Sequence, residues 1–141
     1  MTRRSRTGYF IFLNTALIDW LSKKQATVEG SVFGAEFVAT KNGIEALRGI
    51  RYKLRMIGVP LTGPTYVYGD NISGIYNTSQ PKSTLKKKSN YICYHAVREV
   101  VEIGECLTTH CKTGDNYSDM MTKVLYGQKK RDNVARILCD I

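Results

Sequence analysis

The chain predicts an α/β fold, a mixed sheet with helices packed on it, and three features of its 141 residues predict it. Two short aromatic and β-branched runs open the chain around a polar turn. A long stretch with helical periodicity follows. After it, short strand-like runs alternate with helical ones, so the order reads β-β-α-β-α-loop-α-β-α.

The first pair of strands is Gly8-Tyr9-Phe10-Ile11-Phe12-Leu13 and Ala16-Leu17-Ile18-Asp19-Trp20-Leu21, with Asn14-Thr15 as the turn. Residues 32–57 carry the strongest helical signal. Phe33, Phe37, Ile44, Leu47, Leu54 and Ile57 recur at helical spacings, and Gly58-Val59-Pro60 stops the run. Pro64 to Asp70 reads as a short strand ending in a carboxylate. Asn71 to Asn77 reads as a short helix, and Ser79 to Asn90 as a basic loop containing Lys86, Lys87 and Lys88. A helix over 91–103 places Ile92, Ala96, Val100 and Ile103 on one stripe. Glu105 to Cys111 is a strand, Asp115 to Leu125 a helix with an acidic start that suits the helix dipole, and Val134, Ile137 and Leu138 mark a terminal helix.

The length fits a single domain over residues 1–141. Lysine and arginine number 21 and aspartate and glutamate 12, so the net charge is 21 − 12 = +9, which suits a polyanionic partner such as nucleic acid. No apolar run approaches the roughly 20 residues of a membrane span, so a membrane partner is not expected. The basic N-terminus is not followed by an apolar core and cleavage site, and Cys93, Cys106, Cys111 and Cys139 form no CxxC pair. Both features suit an intracellular protein, in a cytoplasmic particle or the nucleus, and not a secreted one.

Three acids stand where chemistry is commonly placed. Glu36 opens the long helix, Asp70 ends a strand, and Asp119 lies early in a late helix. Carboxylates gathered from a strand end and helix starts are a suitable cage for Mg²⁺ or Mn²⁺, which serve phosphoryl chemistry. Each acid alone also reads as a cap, a turn residue or a solvated charge. The lysine run suits phosphate contacts and equally a solvated loop. Cys93, His95, His110 and Cys111 lack the spacing of a zinc site, and no GxxxxGK[ST], GxGxxG or HExxH pattern occurs.

Taken together and in order, these blocks resemble the ribonuclease H domain at the C-terminal end of copia-type LTR-retrotransposon polyproteins, next to the reverse transcriptase. Arg4-Ser5-Arg6-Thr7-Gly8-Tyr9 is similar to that family's R-S-T-S-G-Y. Trp20-Leu21-Ser22-Lys23-Lys24-Gln25-Ala26-Thr27-Val28 resembles W-S-S-K-K-Q-P-T-V, and Ala35-Glu36-Phe37-Val38-Ala39 resembles A-E-Y-V-A. Tyr68-Gly69-Asp70-Asn71 resembles Y-C-D-N. Lys86, Lys88, Tyr94, His95, Arg98 and Glu99 fall along the family's R-T-K-H-I-D-I-R-Y-H-x-x-R-E stretch. Ser118 to Lys123 resembles A-D-I-L-T-K.

The resemblance implies an RNase H-like fold and hydrolysis of the RNA strand of RNA–DNA hybrids with two Mg²⁺ or Mn²⁺ ions. Glu36, Asp70 and Asp119 take the positions of the second, third and fourth acids of that family's metal-binding group. Lys86, Lys87, Lys88 and Asn71 would contact the nucleic acid, and the reverse transcriptase domain of the same polyprotein would be a neighbour. The family's first acid sits on a first strand upstream of R-S-T-S-G-Y. No residue before Tyr9 is acidic here, so that strand is expected to be missing and the chain to be a fragment. Gly34 stands where the family has a glutamate and Val124 where it has a proline. Whether this chain is itself an enzyme stays open on these grounds. The alternative is a catalytically dead remnant of a degenerate element that still binds nucleic acid through its charge.

Overall fold

The computed structural model describes residues 4–26, 28–71 and 91–139. The basic loop with Lys86, Lys87 and Lys88, and the short helix expected up to Asn77, lie outside the described residues. Strand β1 (Arg6–Leu13) pairs antiparallel with β2 (Ala16–Lys24) in a register of Tyr9 against Leu21 and Phe10 against Trp20, with an irregularity between Ile11 and Phe12. Asn14 takes the left-handed backbone at φ 54°, a conformation that asparagine tolerates better than most residues, and so closes the hairpin.

Helix α1 (Val32–Met56) begins at Ser31, whose hydroxyl accepts the Gly34 N–H at 3.1 Å and satisfies one orphan donor of the first turn. Gly58, at φ 80°, turns the chain away beyond its end. Phe37, Ile44 and Leu47 of the expected stripe are buried. Ile57 lies past the last turn and is exposed. Arg51 joins the buried face, and its guanidinium donates to the Gly63 carbonyl at 3.1 Å and to Thr65 Oγ1 at 2.7 Å. That pair of bonds ties the helix to the entry of β3 (Thr65–Gly69). β3 pairs in parallel with β4 (Cys106–His110), Val67 lying opposite Thr108.

Between them runs α2 (Tyr91–Glu102). The helix lies where its periodicity predicts, but its buried face is shifted, and of the expected stripe Val100 is buried. Tyr94, Val97 and Val100 face inward, whereas Ile92 and Ile103 of the expected stripe are exposed. The Tyr94 ring, packed on Phe37, outweighs the isoleucines in choosing the face. The helix expected over 115–125 is also corrected. A 3₁₀ turn (Thr113–Asp115) precedes a single helical turn, α3 (Asp119–Thr122), because Asn116 Oδ1 accepts the Ser118 N–H in a local turn and Lys123 is already extended. α4 (Gly127–Cys139) closes the described chain with Ile137 inward.

The expected mixed sheet is not continuous. The antiparallel pair β1–β2 and the parallel pair β3–β4 are two separate sheets among the described residues. One core nevertheless joins them: Ile11 of β1, Ile44 and Leu47 of α1, Val97 and Val100 of α2, and Cys106 of β4 form a single buried cluster, with Val67 of β3 against it. The helices therefore hold the two half-sheets in one body while a cleft stays open between β1 and β3.

Candidate active site

The cleft measures about 950 Å³ and is lined by Gly8 to Phe12 of β1, by all of β3, and by the α1 face from Ala35 to Leu47. Glu36, Asp70, Asn71, Asp119 and Lys123 also line it. All three acids singled out in the sequence thus line one cleft, although they come from the start of α1, the end of β3 and the start of α3. Glu36 and Asp70 are half-buried and Asp119 is buried.

Each acid has a local reason for its position. Glu36 is fixed by the capped first turns of α1, which Gln25 ties to the hairpin. The Gln25 amide donates to the Ala35 carbonyl at 2.7 Å and to Thr7 Oγ1 at 3.2 Å. Asp70 follows β3 directly, where Cys111 N–H donates to the Gly69 carbonyl at 2.8 Å and extends the parallel pairing by one bond. Asp119 rides on α3, which packs against β1 over Gly8 and is tied to β2 by the Ser22 hydroxyl, donating to the Met121 carbonyl at 2.5 Å.

Two carboxylates already have partners within the chain. Asn71 Nδ2 donates to Glu36 Oε2. Lys123 Nζ donates to Asp119 Oδ1 at 2.9 Å. The bond to Asp119 raises the Lys123 ammonium above its usual range against a small burial penalty, and the charges of Asp119, Asp70 and Glu36 add to that rise. Burial pushes the Cys111 thiol up, and Asp70, Asp115 and Asp119 push it further. Among the described residues, this end of the cleft is therefore a field of negative charge that Lys123 partly offsets. Sequence reasoning chose the acids but missed both internal partners. The i,i+4 spacing of Asp119 and Lys123 was the available signal for one of them.

Hard carboxylate oxygens suit Mg²⁺ or Mn²⁺. Among the described residues, however, no three of the His, Cys, Asp or Glu side chains are grouped closely enough to hold an ion together. As arranged, the acids do not fit a shared metal. Of the residues expected to touch nucleic acid, Asn71 lies in the cleft bonded to Glu36, and Lys86, Lys87 and Lys88 lie outside the described residues.

A strand-bordered cleft with carboxylates gathered at one end defines a small α/β domain with a candidate acid-dependent site. Its relatives are retrotransposon polyproteins. The chain is 33% identical over 121 residues to the retrovirus-related Pol polyprotein from transposon RE1 of Arabidopsis thaliana, covering 86% of this chain and 8% of that protein. It is 32% identical over 121 residues to the corresponding polyprotein from transposon RE2 of the same plant, with the same coverage. The Pol polyprotein from transposon TNT 1-94 of Nicotiana tabacum is 33% identical over 132 residues, 87% of this chain and 9% of that protein. The chain thus spans less than a tenth of the length of the curated relatives it matches. No family model and no solved structure matches it. No described helix is long and apolar enough to cross a membrane.

Proposed function

We propose that the chain is an RNase H-like domain of a copia-type retrotransposon polyprotein, and that the cleft between β1 and β3 is the slot of a further strand. The observation that carries the reading is the split sheet with Glu36, Asp70 and Asp119 beside the split. A strand spans roughly 17–20 Å, and the cleft runs along Gly8 to Phe12 of β1 and the whole of β3.

The direction of such a strand follows from the chain. α3 lies over Gly8 near the start of β1, while Asp70 ends β3, and Asp70 and Asp119 line the same cleft beside Lys123. The acidic end therefore lies at the start of β1 and the end of β3, and these two strands run in opposite directions. A strand leading into β1 through a hairpin runs antiparallel to β1 and parallel to β3, and can satisfy the two edges that no described strand pairs.

In this reading the completed domain hydrolyses the RNA strand of an RNA–DNA hybrid. The net charge of +9 attracts the hybrid, and contacts to 2′-hydroxyls across the shallow minor groove distinguish its RNA strand. In the completed domain Glu36, Asp70 and Asp119 would help to hold Mg²⁺ or Mn²⁺, which would supply activation of water and stabilisation of the leaving oxygen. The second reading is a nucleic-acid-binding chain without hydrolysis, and the engagement of Glu36 by Asn71 and of Asp119 by Lys123 favours it for the chain as it stands.

The test is hydrolysis of a labelled RNA–DNA hybrid in Mg²⁺ by this chain and by a version extended at its N-terminus with an aspartate-bearing strand. The expected result is cleavage by the extended chain alone, with salt-sensitive binding by both. Equal, robust cleavage by both contradicts the role given to the added strand. Absence of hybrid binding by both at low salt contradicts both readings.

A further inference from the structure

We propose that the outward face of the two half-sheets is a stacking platform for unpaired nucleic acid, with Trp20, Tyr66 and Tyr68 under the bases and Arg6 and Lys24 against the phosphates. The proposal rests on the nucleic-acid reading above but not on hydrolysis, and it assigns single strands a surface apart from the acidic end of the cleft.

Side chains alternate across a strand, so one face of each half-sheet packs on the core and the other is turned away from it. Ile11, Val67 and Cys106 take the core side. Phe10 and Trp20 of the hairpin, and Tyr66, Tyr68 and Leu107 of the parallel pair, take the other. Trp20 is 59% exposed, Tyr66 58% and Tyr68 62%. The Tyr66 and Tyr68 rings lie 6.3 Å apart and 28° from parallel, which suits a run of flat groups. Contiguous exposed apolar surface of this kind marks a binding face.

Charge selects the occupant. Asp19 is the one acid in the four strands, and it lies on the core side, where Tyr9 Oη donates to it at 3.4 Å. Arg6 and Lys24 stand opposite each other on the outward side, both exposed. Arg6 Nε donates to the neutral Ser22 hydroxyl at 3.4 Å, a bond that leaves its charge in place. Like charges across a strand pair repel, and a phosphate between them relieves the repulsion. Rings beside cations, with no carboxylate among them, suit bases on a phosphate backbone. A duplex keeps its base faces in the stack, so the rings select unpaired strands. A second copy of this chain, itself at +9, does not suit the same cations.

The test titrates the full chain at low salt with a labelled oligothymidylate of about 20 nucleotides, longer than the site of a single fold. Binding is followed by anisotropy and by the emission of Trp20, the single tryptophan of the chain. Quenching of Trp20 is expected, with affinity about five- to a hundredfold weaker in Trp20→Ala, Tyr66→Ala and Tyr68→Ala. Tyr66→Phe and Tyr68→Phe keep the rings and are expected to stay within about twofold of the parent. Arg6→Gln is expected to flatten the salt dependence. Tyr66→Leu and Tyr68→Leu replace any alanine variant that does not fold, as judged by circular dichroism. Unchanged Trp20 emission, equal affinity in the ring-free variants, or a dimer that Tyr68→Ala abolishes and the oligonucleotide does not disrupt each overturns the proposal. RNA–DNA hybrid binding is measured on the same samples. Hybrid binding without single-strand binding overturns this proposal alone, and binding of neither overturns the nucleic-acid reading as well.

Discussion

A Cβ placed on Gly8 would lie 2.5 Å from Met121 Cβ, 2.8 Å from Thr122 Cγ2 and 3.2 Å from the Ser118 carbonyl oxygen. Glycine at the start of β1 thus lets α3, and with it Asp119, settle directly on the strand. Gly8→Ala is expected to push α3 outward and destabilise the fold by about 1–3 kcal/mol, the usual cost of overpacking. Urea unfolding checks this, with a lower midpoint and an unchanged slope.

Gln25 is buried at the end of the first hairpin and reaches both Thr7 and the first turn of α1. Gln25→Met keeps the length of the side chain but leaves the Ala35 carbonyl without this donor. The expected loss is about 1–3 kcal/mol, the penalty of a buried polar group left unpaired. Because α1 carries Glu36, the variant should also shift the amide resonances of the first turn of α1, which a two-dimensional NMR spectrum detects.

Glu105 links helix and strand through Arg48 at 2.9 Å and Arg55 at 3.3 Å. Burial acts to raise its pKa, but the two guanidiniums outweigh burial and hold the carboxyl below its ordinary value of 4.5. A carboxyl lowered on folding stabilises the fold above its unfolded value and loses that contribution as pH falls through the lowered folded value. Melting temperature recorded from pH 6 down to pH 2 should therefore fall less steeply for Glu105→Gln than for the parent below about pH 4.5. Parallel curves would remove Glu105 from the acid transition.

Much of this arrangement is legible in the residues, and the exceptions have physical causes. Ile44 and Leu47 announce the buried face of α1 by their spacing, and the hairpin is announced by its aromatic runs around Asn14. Spacing alone does not give the face of α2, because the Tyr94 ring packs on Phe37 and turns Ile92 and Ile103 outward. The shortness of α3 depends on a side-chain turn at Asn116 that periodicity does not register. The three acids are legible by type and position. Their internal partners, Asn71 and Lys123, emerge only when strand end and helix start meet in space.

The central claim is that β1 and β3 border one strand-sized slot. Hydrogen exchange on the chain extended by a hairpin-linked strand tests it most directly. The account predicts slower exchange at amides of both β1 and β3, since one inserted strand bonds to both edges. Protection confined to β1, with β3 exchanging as in the parent chain, would contradict it.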